Sequence, residues 1–227
     1  MFGMFDPLFW LMIGPALLLA LWAQMKVKWA YANAQQMPAP LSGAAAARHV
    51  LDSAGLQNVD IEVVPGHLSD HYDPRHKVLR LSQEVYQSRS LAAVGIAAHE
   101  AGHAIQDARA YFPLVVRNAA VPVAGFGSNF SFILLMLGIV FSFKALILAG
   151  IALFAGVVFF QVVNLPVEFN ASSRAKEQLV ALGIVNPQDM IYVNKVLGAA
   201  ALTYVAATLQ ALLTLLYYII RFTGNRD

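Results

Sequence analysis

The 227-residue chain contains no cysteine and few charged residues. The absence of cysteine excludes disulfides, thiolate metal ligands and a cysteine nucleophile, so any metal site must use histidine, aspartate or glutamate. Charged residues make up 12% of the chain and hydrophobic residues 59%, whereas about 25% of an ordinary soluble domain is charged. The formal net charge is only +2, and no lysine-rich or arginine-rich run occurs. These features argue against nucleic-acid binding and against a soluble single domain.

Four long stretches without a charged residue show where the apolar residues are concentrated. They are Pro7 to Met25 (19 residues), Asn118 to Phe143 (26), Ala145 to Val167 (23) and Val196 to Ile220 (25). Each is close to the roughly 17–25 residues with which a helix crosses a bilayer. We therefore predict four transmembrane helices, the middle two joined by a tight turn at Lys144. The first stretch has no basic region before it, which favours a retained anchor over a cleaved signal peptide.

The distribution of basic residues predicts the orientation of these helices. Of the 15 lysines and arginines, nine lie within residues 26–117 and three within residues 174–195, and the others are Lys144, Arg221 and Arg226. Basic residues are enriched on the cytoplasmic side of membrane proteins. We therefore expect a multi-pass protein of the cell membrane with both polar segments in the cytoplasm and both termini outside.

The apolar stretches and polar segments together divide the chain into five parts. We expect a first transmembrane anchor (1–25), a cytoplasmic subdomain (26–114), two transmembrane helices (115–163), a cytoplasmic helix (164–195), and a last transmembrane helix with a C-terminal tail (196–227). The predicted fold class is a mostly α, polytopic membrane protein with about four transmembrane helices and a small cytoplasmic α+β portion.

Turn and cap signals predict the elements of the two cytoplasmic segments. Residues 59–63 alternate between apolar and polar side chains and predict a strand, and residues 77–81 predict a second strand that would form a hairpin with the first. Ser90 is a suitable N-cap for a long helix. Asn164 and Pro166 resemble a cap followed by an early helical position, so a second cytoplasmic helix is expected to begin there.

The helix that begins at Ser90 contains the pattern His99-Glu100-Ala101-Gly102-His103. Histidines four residues apart share one helix face, so both imidazoles can reach a single tetrahedral ion. Glu100, next to the first histidine, can hold a water bound to that ion. Because the surrounding residues are apolar, ionisable groups on this helix need something to bind. The pattern therefore predicts a catalytic zinc site in preference to structural histidines.

A zinc ion with two histidine ligands needs a third protein ligand and an open position for water. Glu168 is the best acidic candidate, because the predicted topology places it on the same membrane face as the histidines. A carboxylate directly beside a transmembrane helix is also costly unless it has a partner. The alternative is a carboxylate that is hydrogen-bonded at a helix N-terminus.

Several motifs in order along the chain resemble a known family. The zinc-binding pattern continues as Ala104-Ile105-Gln106, and after two spans the chain reads LPVEFNAS from Leu165 to Ser172. With the further segments 68–74 and 199–206, these motifs closely resemble those of the YugP-like membrane zinc metallopeptidases, which are distant relatives of the HtpX-type proteases.

This resemblance implies a gluzincin-like, membrane-embedded zinc endopeptidase that cleaves membrane or membrane-proximal proteins at the cytoplasmic face. One Zn²⁺ per chain would be held by His99, His103 and Glu168, and Glu100 would activate the water. The partners expected are a protein or peptide substrate and the lipid bilayer, and an oligomer or a membrane partner stays open.

Four residues near the predicted site are candidates for supporting roles. HtpX-like enzymes have an aspartate where this chain has Ser172, so the support of a ligand histidine must come from elsewhere or be weaker. Arg174 and Tyr72 are candidates for stabilising an oxyanion, although Arg174 also fits a charge at the membrane surface. Asn164 could support Glu168, but helix capping explains it equally well.

Other functions stay open at this point. The zinc site could belong to a catalytically silent membrane scaffold or adaptor. A transporter could use the same cluster, although transport pathways usually contain ionisable residues within the spans. A second metal site at His67 and His71 is disfavoured, because the prolines and glycine around them argue against a helix. Intramembrane proteolysis is disfavoured, because the Ser90 helix lies outside the long apolar stretches.

Overall fold

The computed structural model describes residues 6–223; residues 1–5 and 224–227, including Arg226 of the charge count, lie outside the described residues. The elements in chain order are α1 (Pro7–Gln35), α2 (Gly43–Ser53), β1 (Asp60–Val64), β2 (His71–Asp73), β3 (Val78–Ser82), α3 (Gln83–Gln87), α4 (Leu91–Ala108), α5 (Phe112–Val140), α6 (Lys144–Ala181) and α7 (Met190–Thr223). The prediction of a mostly helical chain with a small sheet is confirmed.

Four of these helices, α1, α5, α6 and α7, are long and apolar enough to cross a membrane. The prediction of four spans is therefore confirmed by length and composition. The tight turn before Lys144 is also present, because α5 ends at Val140 and Ser142 adopts a left-handed conformation with φ of 52°. Helix α1 continues to Gln35, well beyond the end predicted at residue 25.

Helix α6 runs without interruption through Pro166. The prediction that a new helix begins at Asn164 and Pro166 is therefore wrong, and Asn164 is not a cap. A proline inside a helix removes one backbone hydrogen bond. Long apolar helices tolerate this because local adjustment and neighbouring groups compensate for the missing bond.

The chain forms two compact units. The first, the helical unit, comprises Met1–Ala23, Val115–Leu165 and Leu202–Asp227, and the second, the polar unit, comprises Gln24–Leu114 and Pro166–Ala201.

In the helical unit, small residues and a few polar contacts join the helices. A Cβ atom at Gly150 of α6 would lie 2.9 Å from the carbonyl oxygen of Ser131 on α5, so the two helices pass in close contact. The start of α1 is joined to the end of α7, because the Tyr217 hydroxyl donates to Asp6 Oδ2 at 2.9 Å and Arg221 Nε lies 3.4 Å from the same oxygen. The first and last described helices therefore meet at these ends.

In the polar unit, a three-stranded sheet has the order β1-β3-β2. Strand β3 pairs in parallel with β1 and antiparallel with β2. The predicted hairpin of residues 59–63 with 77–81 is therefore wrong: these strands are parallel, and the hairpin is formed by β2 and β3. The short strand β2, which was not predicted, lies between them in the sequence and reverses the chain direction.

Helix α4 lies at the centre of the polar unit. Thirteen of its 18 residues are buried, and the Ser90 side chain accepts a hydrogen bond from the Ala93 N–H, as predicted for an N-cap. Its apolar residues share one core with α2, β3 and the end of α6, which includes Val50, Leu51, Leu79, Leu81, Val94, Ala97 and Leu179. This packing fixes the position of α4 against α6.

Candidate metal centre

The predicted site is formed where α4 passes very close to α6. A Cβ atom at Gly102 would lie only 2.6 Å from the carbonyl oxygen of Ala171. A glycine is therefore required at this position, because any larger residue would push the two helices apart. The close contact brings His99 and His103 of α4 next to Glu168 of α6.

These three side chains form a compact group that could hold a metal ion. Their ligand atoms all lie within 4.8 Å of one another. Glu168 Oε2 lies 3.3 Å from His99 Nε2 and 3.7 Å from His103 Nε2. Two ligand atoms bound tetrahedrally at about 2.0–2.1 Å from zinc would be roughly 3.3 Å apart. The observed separations therefore suit a zinc ion.

The oxygen at the centre of this group is itself a sign of a missing partner. Glu168 is only 7% exposed, and its buried Oε2 atom makes no hydrogen bond among the described residues, although it lies within ion-pair distance of both histidines. Leaving a buried charged oxygen unpaired is costly, whereas coordinating a cation satisfies it. The two histidines and the carboxylate are also a common donor set for zinc. The residues present therefore fit the metal.

The electrostatics of the group also favour a cation. Burial by itself would lower the pKa of His103, but the carboxylates of Glu168 and Glu100 outweigh it and raise that pKa above its ordinary value. Burial raises the pKa of Glu100, and the neighbouring histidines counteract part of this rise. A histidine whose positive form is favoured in spite of burial indicates negative potential at its position. A divalent cation is stabilised by the same potential.

The second nitrogen of His99 contacts Ser172. His99 Nδ1 lies 3.1 Å from Ser172 Oγ, and Ser172 is only 7% exposed. Ser172 therefore lies within hydrogen-bonding distance of one histidine of the group. The support is a neutral hydroxyl, which forms a weaker hydrogen bond than a carboxylate does.

The second nitrogen of His103 contacts Gln106, a residue to which the sequence interpretation assigned no role. His103 Nδ1 lies 3.0 Å from Gln106 Oε1, and the Gln106 side chain is fully buried. Its NH₂ group donates to the Val167 carbonyl at 2.8 Å and to Asn170 Oδ1 at 3.0 Å. The signal available in the sequence was the spacing of Gln106 three residues after His103, on the same helix face.

Arg174 also contacts Asn170. Its Nε donates to Asn170 Oδ1 at 2.7 Å, and its guanidinium carbon lies 5.9 Å from the centre of the Tyr111 ring. Arg174 therefore contacts α6 itself and the segment that follows α4. Its role as an oxyanion donor stays a prediction, as does support of Glu168 by Asn164, which lies one helical turn earlier on α6.

Tyr72 of β2 contacts the site through its backbone. Its N–H donates to Glu100 Oε2 at 3.2 Å, and its hydroxyl donates to Asp107 Oδ2 at 2.9 Å. Burial and the hydrogen bond to Asp107 raise the pKa of the Tyr72 hydroxyl. The group of Tyr72 that touches Glu100 is the amide and not the phenol, and the role of Tyr72 as an oxyanion donor stays a prediction.

The histidines of the disfavoured second metal site have separate partners. His67 Nδ1 lies 3.0 Å from Glu84 Oε2, whereas His71 Nδ1 lies 2.8 Å from the carbonyl oxygen of Ser69. Within residues 6–223, the group of His99, His103 and Glu168 is the one cluster with the makeup of a metal site.

Comparisons with known proteins identify the family of the chain. A family model described as "Putative neutral zinc metallopeptidase" matches residues 9–223. The chain is 46% identical over 214 residues to the "Putative membrane protease YugP" of Bacillus subtilis strain 168. The aligned residues cover 93% of this chain and 95% of the relative. No solved structure matches the chain. With nearly the whole chain matched, the protein belongs to this family of zinc metallopeptidases.

Proposed function

We propose that the protein is a zinc-dependent endopeptidase in which His99, His103 and Glu168 hold one Zn²⁺ per chain and Glu100 is the general base. The observation that carries this proposal is the buried Glu168 Oε2, which makes no hydrogen bond among the described residues and lies 3.3 Å and 3.7 Å from the two histidine Nε2 atoms. The arrangement of two histidines on one helix and a glutamate from a later helix is gluzincin-like.

The proposed reaction assigns each residue one task. A zinc ion bound by these three side chains would supply Lewis acidity, polarising the scissile carbonyl and making water more acidic. Glu100 takes a proton from the attacking water at its carboxylate and later passes it to the nitrogen of the leaving amine. The Tyr72 N–H holds one oxygen of Glu100 at 3.2 Å, which leaves the other for proton transfer.

Two further contacts keep the ligands in place for this chemistry. The Ser172 hydroxyl orients the His99 ring at 3.1 Å, and Gln106 orients the His103 ring at 3.0 Å. Groups that hold a metal ligand by its second nitrogen contribute to metal affinity and to rate.

We further propose that cleavage takes place at the cytoplasmic face of the membrane, on membrane proteins or on segments close to the bilayer. Glu168 directly follows the charge-free stretch of residues 145–167, so its sequence position supports a site near the bilayer surface. The excess of basic residues in the two polar segments supports the cytoplasmic side. The relative from Bacillus subtilis is named a membrane protease.

The test uses the full chain, purified in detergent, with stoichiometric zinc and an unfolded or membrane protein as substrate. Glu100→Gln keeps the metal ligands but cannot accept a proton, so cleavage should fall by about 10²–10⁴-fold while zinc content is unchanged. Glu177→Gln is the matched control, because Glu177 is exposed on α6 and the same chemical change there should leave cleavage intact.

Three outcomes would contradict the proposal. Retained cleavage by Glu100→Gln would remove Glu100 from the reaction. Stoichiometric zinc with no cleavage by either form would favour the silent scaffold, in which the metal only joins α4 to α6. Metal flux in proteoliposomes would favour a transporter.

In cells, membrane proteins that accumulate with Glu100→Gln relative to the native chain would identify substrates.

A further inference from the structure

A chain of hydrogen bonds runs from Arg174 through Asn170 and Gln106 to His103. Arg174 Nε lies 2.7 Å from Asn170 Oδ1, and Gln106 Nε2 lies 3.0 Å from the same oxygen. Gln106 Oε1 then lies 3.0 Å from His103 Nδ1. All four residues belong to the polar unit, and Gln106 is fully buried.

The chemistry of these groups gives the chain a single direction. Arginine has only donors, so Asn170 must turn its oxygen toward Arg174. Gln106 must then present its NH₂ group to that oxygen. The Val167 carbonyl, 2.8 Å from Gln106 Nε2, can only accept and therefore imposes the same orientation independently. The Gln106 oxygen is left facing His103, so His103 must carry a hydrogen on Nδ1.

The other ligand histidine is held differently. His99 Nδ1 contacts the hydroxyl of Ser172, and a hydroxyl can either donate or accept a hydrogen bond. Ser172 therefore orients the His99 ring without selecting its tautomer. Of the two proposed histidine ligands, His103 is therefore the one whose tautomer the surrounding protein selects before a metal binds.

We propose that Gln106, oriented by Asn170 and Arg174, is a positioning residue that fixes the neutral His103 ring as the Nδ1–H tautomer and keeps its Nε2 lone pair available to the metal. The proposal rests on the proposed function in that His103 is a zinc ligand. Gln106 also contacts Val167 and Asn170, which lie on either side of Glu168 in the sequence. It therefore holds the third ligand in register with His103.

The first test measures the tautomer directly, without any substrate. The full chain is labelled with ¹⁵N-histidine, stripped of zinc in detergent and studied by NMR at a pH high enough for the His103 ring to be neutral. We expect the Nδ1–H form in the native chain and a mixture that includes the Nε2–H form in Gln106→Leu. Gln178→Leu is the matched control, because Gln178 lies on α6 and contacts Ser53, away from the ligands.

The second test measures zinc affinity by competition with a chelator. Gln106→Leu should weaken zinc binding by about 10–100-fold, the usual effect of losing a group that supports a metal ligand. Arg174→Met removes the donor that orients Asn170, while the Val167 carbonyl still holds the Gln106 NH₂ group, so the tautomer should stay Nδ1–H and the zinc affinity should fall by less than in Gln106→Leu. Gln178→Leu should bind zinc as the native chain does.

A native His103 ring in the Nε2–H form would overturn the proposal, as would unchanged zinc affinity in Gln106→Leu. If Gln106→Leu does not fold, the native tautomer and the zinc affinity of Arg174→Met decide. A zinc affinity of Arg174→Met equal to that of the native chain would overturn the role of Asn170 and Arg174. Neither readout requires proteolysis. A chain that binds zinc with the expected tautomer but cleaves nothing would contradict only the proposed function.

Discussion

The two compact units differ in where they place polar and apolar side chains. The helical unit exposes large apolar residues along its helices, among them Phe126, Phe130, Phe132, Ile133, Leu148, Phe159 and Leu216. The polar unit buries His103, Gln106, Glu168 and Ser172. One unit is thus apolar on its outside, and the other contains a polar group in its interior.

This difference follows from what surrounds each set of side chains. Exposed apolar side chains in such number are stable in lipid, where burial in a core is not needed to keep them from water. Buried polar side chains are stable only when every one has a partner. In the polar unit the four residues contact one another or their neighbours, but Glu168 Oε2 makes no hydrogen bond among the described residues, and the proposed cation would supply its partner.

The largest effect on zinc content and cleavage is expected when one of the three proposed metal ligands of the polar unit is removed. His103→Ala removes one of three proposed ligands and leaves the carboxylate of Glu168 beside a cavity, so stoichiometric zinc should be lost together with cleavage. Metal analysis of the purified protein measures this. His71→Ala is the control, since His71 is exposed and its ring nitrogen lies beside the Ser69 carbonyl, outside the group of proposed ligands. Full zinc content in His103→Ala would contradict the proposed centre.

A charged residue placed on the surface of each unit tests whether the exposed apolar side chains of the helical unit face lipid. Phe132 is 61% exposed and lies near the middle of the charge-free stretch 118–143, so Phe132→Arg should cost about 2.5–3.5 kcal/mol of membrane insertion. Val63 of β1 is 49% exposed, and Val63→Arg should change stability by less than about 0.5 kcal/mol. The measurement is the yield of membrane-inserted protein for each of the two variants. Equal yields would show that Phe132 does not face lipid.

A smaller effect is expected at the contact between α4 and α6. Gly102→Ala adds a Cβ atom 2.6 Å from the Ala171 carbonyl oxygen, so overpacking should cost about 1–3 kcal/mol and weaken zinc binding by separating the ligands. Thermal unfolding and a zinc titration measure both. Gly198→Ala in α7 adds the same atom where nothing lies within 4 Å, so it should not destabilise the protein.

The smallest effect is expected at an exposed polar cluster of the polar unit. Hydrogen bonds from His76 and Arg80 lower the pKa of Asp73. A carboxyl group with a lowered pKa in the folded state stabilises that state above its unfolded pKa of about 3.9, and the contribution is lost as the pH falls below it. Amide exchange of β2 and β3 should therefore speed up in acid, beyond the intrinsic pH effect. Asp73→Asn should show faster exchange already at neutral pH and should lack this acid-dependent change.

Much of the fold was predictable because the decisive signals are local. A charge-free stretch of about 20 residues requires lipid or a core, and Ser90 caps α4 by contacts within four residues. The parallel pairing of β1 with β3 was not predictable in the same way. It depends on β2, a strand of three residues next to Pro74, which is too short for an alternating pattern to be recognised.

The candidate site was predictable to the extent that its residues lie on one helix face. His99 and His103 are one turn apart, and Glu168 was selected by membrane topology. The role of Gln106 could not be inferred in this way, because its partners Val167 and Asn170 lie more than 60 residues later in the chain. Pro166 misled the interpretation, because the same residue fits a helix start and the interior of a long apolar helix.

The order of the proposed ligands along the chain has a consequence during synthesis. Both histidines are synthesised before α5, whereas Glu168 follows His103 by 65 residues and is synthesised only with the second half of α6. A nascent chain that contains only its first two spans therefore lacks the carboxylate that is proposed to hold the metal. Under the proposed mechanism, the newly made chain would stay inert toward its neighbours until most of α6 has been made.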